Sequence, residues 1–133
     1  MAETFRCSLV TPERQVLDEE CGYASIPAWD GQLGLMHQRA PLLAKLGDGA
    51  LRLDLASGAT RWFHVGGGFA QMKDNRLSLV TGEAVAAEEV SRTDAEASLK
   101  EAEARQARTD EEVAKKQRSI NRAKSLLAIA GKK

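Results

Sequence analysis

Leu77-Ser-Leu-Val-Thr-Gly-Glu-Ala-Val-Ala-Ala-Glu-Glu-Val90-Ser-Arg-Thr-Asp-Ala-Glu-Ala-Ser-Leu99 decides the fold, because the chain changes character within it. Leu77-Ser-Leu-Val-Thr81 reads as a strand. From Val90 to Ala130 there is no glycine or proline, and alanine and charge dominate. All three prolines and ten of the eleven glycines lie in residues 1–90. Glycine and proline punctuate turns and disfavour helix interiors, whereas Ala, Glu, Lys, Arg and Gln favour helix. The chain therefore reads as a turn-rich β body followed by a helical tail.

Upstream, short apolar runs alternate with turns. Phe5, Cys7 and Leu9 alternate along a first strand, and Thr11-Pro-Glu-Arg14 turns it. Val16-Leu17 begins a second run and Tyr23 to Ile26 a third. A short strand lies in Trp29-Asp-Gly-Gln-Leu-Gly-Leu35, and Pro41 to Leu46 is another apolar piece. Leu33, Leu35, Leu42 and Leu43 read as core. Leu51, Leu53 and Leu55 share one face of a strand that turns through Ala56-Ser-Gly-Ala59 into Thr60-Arg-Trp-Phe-His-Val65. Gly66-Gly-Gly68 reads as a bulge or a close backbone approach. Phe69 to Met72 and the run from Leu77 form one more hairpin about Lys73-Asp-Asn75. This amounts to about nine or ten strands, with the turn spacing of a sandwich or barrel.

In the tail, Ser91-Arg-Thr-Asp94 has the hydroxyl and acid of a helix start. The first helix is expected to run to Gln106 or Arg108, with Ala95, Leu99, Ala102 and Gln106 on one stripe. Thr109-Asp-Glu-Glu112 offers a second cap, and Val113, Ile120 and Leu127 repeat at seven, joined by Ala123 and Ala130. The simplest geometry is an antiparallel helical hairpin. Its seam is thin, since the first helix offers alanine and Leu99. A hairpin held so weakly is expected to detach or change partner.

Charge follows the same division. Residues 1–90 carry 8 basic and 12 acidic side chains, and residues 91–133 carry 11 and 7. After Glu112 there is no acid, while Lys115, Lys116, Arg118, Arg122, Lys124, Lys132 and Lys133 are basic. Cys7 and Cys21 are expected to be free, buried thiols, because Met1-Ala-Glu-Thr4 does not read as an export signal. No apolar run approaches the roughly 20 residues of a membrane span. His37 and His64 have no neighbour at metal-ligand spacing, no serine sits in an elbow motif, and the glycine run lacks the ending of a phosphate loop. The basic helix has no interleaved aromatics to stack bases. A non-catalytic binding or regulatory protein remains, with no metal or cofactor expected.

One constellation is specific. Gly31-Gln-Leu-Gly-Leu35 followed by Arg39-Ala-Pro-Leu-Leu43 resembles the G-x-L-G-[IL]-x-P-G-H-x-P-L-L signature of the F-type ATP synthase epsilon subunit family. Ser8-Leu-Val-Thr-Pro12, Gly66-Gly-Gly-Phe69 and Asp74-Asn-Arg-Leu-Ser-Leu-Val80 are similar to that family's flanking segments, in the same order. The resemblance implies a ten-stranded β-sandwich (1–88) followed by a regulatory two-helix hairpin (89–133). It further implies a central-stalk rotor subunit on the cytoplasmic face of the inner (plasma) membrane. Such a subunit binds gamma and the c-ring and couples proton flow to ATP synthesis. Its hairpin can rise and block ATP hydrolysis.

Residue by residue, the resemblance places Trp29, Asp30, Gly31 and Gln32 in the c-ring-facing loop. Gln32 stands where many members carry an acid, so a neutral hydrogen bond is expected there. His37-Gln38-Arg39 replaces the Pro-Gly-His step, which frees Arg39 to meet headgroups or loop carboxyls. Lys115, Arg118 and Arg122 are expected to dock against acidic segments of the catalytic beta subunits. Arg118-Ser-Ile-Asn-Arg122 matches the second half of an ATP-binding pattern found in some members. In the first half, Val90-Ser-Arg-Thr-Asp-Ala95, Ser91 replaces an acid and Asp94 replaces an arginine. A carboxylate in place of an anion-binding arginine repels phosphate, so weak or absent ATP binding is expected. Two alternatives remain open: a β-sandwich binding module whose basic hairpin binds nucleic acid, and a purely structural stalk spacer with a fixed hairpin.

Overall fold

The computed structural model describes residues 3–132; Met1, Ala2 and Lys133 lie outside them. Nine strands come first: β1 (Phe5–Val10), β2 (Gln15–Ala28), β3 (Gly31–Leu35), β4 (Leu42–Lys45), β5 (Asp48–Leu55), β6 (Thr60–Gly66), β7 (Phe69–Lys73), β8 (Arg76–Val80) and β9 (Ala84–Ala86). They hydrogen-bond in the order β4-β7-β8-β1-β2-β5-β6-β9, with β3 added on β2. A single 3-10 turn at Ala87–Glu89 leads into helices α1 (Arg92–Ala104) and α2 (Asp110–Ile129).

The expected second and third runs are one strand, and β9, which no expected run covers, restores the count among the described residues to nine. The first half of β2 pairs with β1, and its second half pairs with β5 and β3. A register shift between Cys21 and Tyr23 bends the strand at Gly22. That bend lets one strand serve both layers of the sandwich. The period-2 pattern then fills the space between them: Phe5, Cys7, Leu9, Ile26, Leu35, Leu51, Leu53, Phe63, Met72, Leu77 and Leu79 are buried in one cluster. Both cysteines are free and buried. Leu33 and Leu42 are half-buried and pack against this cluster. Leu43 is not core: it is 69 % exposed, because edge strand β4 turns it to the outer face while Leu42 points inward.

Turn chemistry matches the backbone. Asp74 and Asn75 both have positive φ, 52° and 58°, as a two-residue hairpin loop requires. Gly68 has φ +106°, and a Cβ there would lie 1.9 Å from the Val80 carbonyl oxygen. Only glycine permits this crossing, which seats Leu46 by its N–H to the Gly68 carbonyl at 2.8 Å.

The helices start where the caps indicate. Ser91 Oγ accepts from the Asp94 N–H at 3.2 Å, and Thr109 Oγ1 accepts from the Glu112 N–H at 3.1 Å. α1 ends earlier than expected, at Ala104, and Gln106 lies in the exposed connection. The return of the chain sets that end. Arg108 N–H donates to the Glu112 carboxylate at 3.0 Å, and Arg105 reaches Ser119 Oγ at 3.4 Å, fixing an extended linker. Val113 is consequently 52 % exposed, for the shortened α1 leaves its end of the seam uncovered. Ala95, Leu99 and Ala102 of α1 do face inward, as do Ile120, Ala123 and Leu127 of α2 and Ala130, which caps it. The seven-residue seam describes only one side of α2. Arg118, Arg122, Ser125 and Ile129 form a second stripe at three- and four-residue spacing, and α2 also packs on β5 and β6. Among the described residues no helix is long and apolar enough to cross a membrane.

Candidate functional site

Two surfaces collect the residues singled out by sequence. The first is the tip of β2 and β3. Pro27 pairs with Gln32 and Ala28 with Gly31, leaving Trp29 and Asp30 as the turn. Trp29 N–H donates to the Lys45 carbonyl at 3.0 Å, and Gly47 N–H donates to the Pro27 carbonyl at 2.7 Å, so β4 and its exit brace the loop. Trp29 is 72 % exposed. A cleft of about 440 Å³ gathers Trp29, Asp30, Gly31, Gln32 and Arg39 with Leu43. Apolar Trp29 and Leu43 thus share one surface with the charges of Asp30 and Arg39.

Gln32 is exposed on this surface but its amide is tied back. Its Nε2 donates to Ser25 Oγ at 2.9 Å and to the Ala50 carbonyl at 3.4 Å. The His37-Gln38 step is also tied down. His37 Nε2 lies 2.6 Å from a Glu3 carboxylate oxygen, and Gln38, at φ 55°, donates its N–H to Asn75 Oδ1 at 2.7 Å. Arg39 itself remains exposed.

The second surface lies between α2 and the sandwich. Arg122 Nε and Nη2 donate to Oε1 and Oε2 of Glu83 at 2.9 and 3.0 Å. The same carboxylate lies 3.0 Å from His64 Nε2. His64 Nδ1 is 2.8 Å from Ser125 Oγ. A cavity of about 230 Å³ beside this group is lined by Asp48, His64, Glu83, Arg118, Ser119 and Arg122. Arg118 and Arg122 therefore meet in one place. Lys115 does not: it lies out on α2, 3.8 Å from Glu111.

Electrostatics follow from this geometry. The bidentate hydrogen bond from Arg122 holds the Glu83 carboxyl below its ordinary value, and the pair raises Arg122 in turn. Burial pushes the His64 imidazole below its ordinary value, although Glu83 pulls the other way. His64 is therefore neutral at pH 7. One tautomer satisfies both ring nitrogens: Nε2–H donates to Glu83, and Nδ1 accepts from the Ser125 hydroxyl.

A phosphate entering the cavity would meet the carboxylates of Asp48 and Glu83 with Arg122 already engaged. The arrangement joins two parts of one chain. The Cys7 thiol, raised by its hydrogen bond with Cys21 and by burial, is kept protonated. Among the described residues no group of three or more His, Cys, Asp or Glu side chains is arranged for a metal ion.

Sequence reading missed the part of this second surface that lies outside the arginines. His64 has no neighbour in sequence that marks its role, and Glu83, Asp48 and Ser125 lie in no motif. The complementary charge of body and tail was the only signal pointing to such a contact.

Comparison with known proteins is consistent across sequence and fold. The model for the family described as ATP synthase, Delta/Epsilon chain, beta-sandwich domain matches residues 4–87. A protein of Rhodopirellula baltica named ATP synthase epsilon chain is 39% identical over 124 residues, which cover 93% of this chain and 96% of that one. One of the same name from Pelotomaculum thermopropionicum is 35% identical over 106 residues, covering 80% and 78%. Among solved structures, a chain in the Euglena gracilis mitochondrial ATP synthase superposes with a TM-score of 0.85 at 22% identity, covering 96% of this chain and 81% of that one. A chain in the central stalk and c-ring structure of the Tetrahymena thermophila enzyme gives 0.67 at 18% identity, covering 92% and 95%. At those identities the structures attest the fold.

Proposed function

The chain belongs to the ATP synthase delta/epsilon family, among its epsilon chains, and from that premise we propose that it is a non-catalytic rotor subunit whose hairpin is a movable regulatory arm. The sandwich is the fixed part, bound to gamma and set against the c-ring. The cleft of Trp29, Asp30, Arg39 and Leu43 is the c-ring-facing surface, where apolar contact and charge are presented together. The chain then sits peripherally at the cytoplasmic face of the inner membrane. It needs no cofactor and binds ATP weakly or not at all.

One observation carries the movable arm: α2 is held to the sandwich by few groups. Leu126 and Ile129 are its large buried side chains. Each contributes about 1.5–3 kcal/mol. The Arg122–Glu83 pair is close to half exposed on each side and adds about 0–1 kcal/mol. A released α2 would reach about 30 Å and present Lys115, Arg118 and Arg122 to acidic segments of the catalytic beta subunits.

The test is ATP hydrolysis by the reconstituted complex carrying Lys115→Glu and Arg118→Glu. Arg122 is left intact because it also fastens the docked state. Relief of inhibition is expected, and unchanged hydrolysis would overturn the docking role. Failure of the purified chain to form a stoichiometric complex with its cognate gamma subunit would overturn the rotor assignment itself.

A further inference from the structure

Glu83 lies between two basic groups, one on each part of the chain. Arg122 belongs to α2, and His64 belongs to β6 of the sandwich. With α2 docked, the guanidinium takes both carboxylate oxygens. His64 is then 1 % exposed, covered on its outer side by the α2 stripe that carries Ser125 and Arg122. Asp48 of β5 and Arg118 of α2 face the same cavity. These two, with Glu83 and Arg122, are the charged groups around the ring.

Lifting α2 changes three things together. The imidazole passes from a buried place, 1 % exposed, into water. The cations Arg122 and Arg118 leave its vicinity. Glu83 and Asp48 stay behind on the sandwich, and Glu83 has lost its counter-ion. Each change favours the protonated ring.

We propose that Glu83 exchanges cations when the hairpin moves: Arg122 holds it in the docked state and protonated His64 holds it in the released state, so that proton uptake by His64 drives release of α2. The direction follows from linkage. Docked His64 is held below its ordinary value, first by burial and with Arg122 acting the same way. Released His64 returns to its ordinary value of about 6.5 or above it. The docked state therefore takes up the proton less readily. Its advantage is complete above the released-state value and is lost as pH falls through the docked-state value. Glu83 contributes with the same sign at lower pH, since docking also depresses its carboxyl. The inference rests on the proposed mobility of the hairpin and not on which catalytic subunit the arm meets.

The test uses the full chain with a donor–acceptor pair attached through Ser57→Cys and Lys124→Cys, both exposed positions. Energy transfer is followed from about pH 8 down to about pH 5.5. The expected result is loss of transfer on acidification, the released-to-docked ratio rising about tenfold for each unit between the two His64 values. His64→Gln keeps a donor for Glu83 but does not titrate, so it is expected to stay docked throughout. No change in transfer across the range, or an equal change in His64→Gln, overturns the exchange. The chain has two histidines, so the ring signal of His64 can also be followed by NMR in the unsubstituted protein. Protonation of that ring with transfer unchanged overturns the exchange without recourse to a variant. Ile129→Ala, labelled in the same way, separates the two levels: release there at pH 8 leaves the mobile arm standing where the exchange fails, and no release there removes the mobility itself.

Discussion

Truncation of Ile129 measures how firmly the arm is held. Ile129 is fully buried and lies seven residues beyond Arg122, on the α2 stripe that faces β5 and β6. Ile→Ala at a buried site removes about 2–5 kcal/mol. Leu126 and Ile129 together contribute about 3–6 kcal/mol to docking before any ordering cost. Lys132, whose Nζ lies 4.6 Å from the Trp62 ring centroid, adds about 0.5–1 kcal/mol at such an exposed place. The loss is thus a large part of the hold. Ile129→Ala should release α2 while the sandwich stays folded, because Phe63, Leu77 and Leu79 belong to a separate cluster that lacks Ile129. Native-state hydrogen exchange reads this directly. Amides of α2 should lose about 30-fold or more in protection, and those of β6 and β8 should keep theirs. Equal loss of protection in α2 and the sandwich, with a matching fall in Tm, would refute the reasoning. The hairpin would then belong to one cooperative unit.

Gly68→Ala should destabilise the sandwich by about 3 kcal/mol or more, since it combines a left-handed backbone with a Cβ driven into the Val80 carbonyl; the denaturant midpoint at constant m checks it. Glu83→Gln should weaken docking by at most about 1 kcal/mol, given how exposed its pair with Arg122 is. Because docking depresses the Glu83 carboxyl, the gap between wild type and variant should be full above the ordinary carboxylate value, about 4.3, and vanish as pH falls through the lowered one; proteolysis rates within α2 follow it. A calorimetric titration with ATP should show no micromolar binding, as Asp48 and Glu83 put two carboxylates in the cavity and Glu83 already engages Arg122, one of its two arginines.

What was legible in the chain was whatever has a local period or a local motif. The two caps, the left-handed pair Asp74-Asn75 and the close approach at Gly68 follow from neighbours in sequence. The alternating leucines of β5 point to one face without any tertiary information. The bend in β2 was not legible, because Gly22 can mark either a break between strands or a bulge within one. The end of α1 was hidden for a related reason. Nothing in Ala104-Arg-Gln-Ala-Arg108 disfavours helix, and it is the contacts of Arg105 and Arg108 with α2 that stop it. The group at the docked interface was least legible. His64 and Ser125 are 61 residues apart, and Arg122 and Glu83 are 39 apart. Such separations leave no spacing to recognise.

The composition of α2 makes sense once its two faces are distinguished. Ile120, Ala123, Leu127 and Ala130 answer the alanine stripe of α1, so the hairpin can persist as a pair. The stripe of Arg118, Arg122, Ser125 and Ile129 presents three polar side chains and one large apolar one to the sandwich. A wholly apolar second face would bind β5 and β6 more tightly, but on release it would expose a hydrophobic patch to water. Arginine and serine carry no such cost, for water replaces their partners when the arm lifts. The one buried ring that loses its cover, His64, still has Glu83 beside it and can then take up a proton. A face built in this way is suited to parting and re-forming, and its weak hold follows from its chemistry rather than from poor packing.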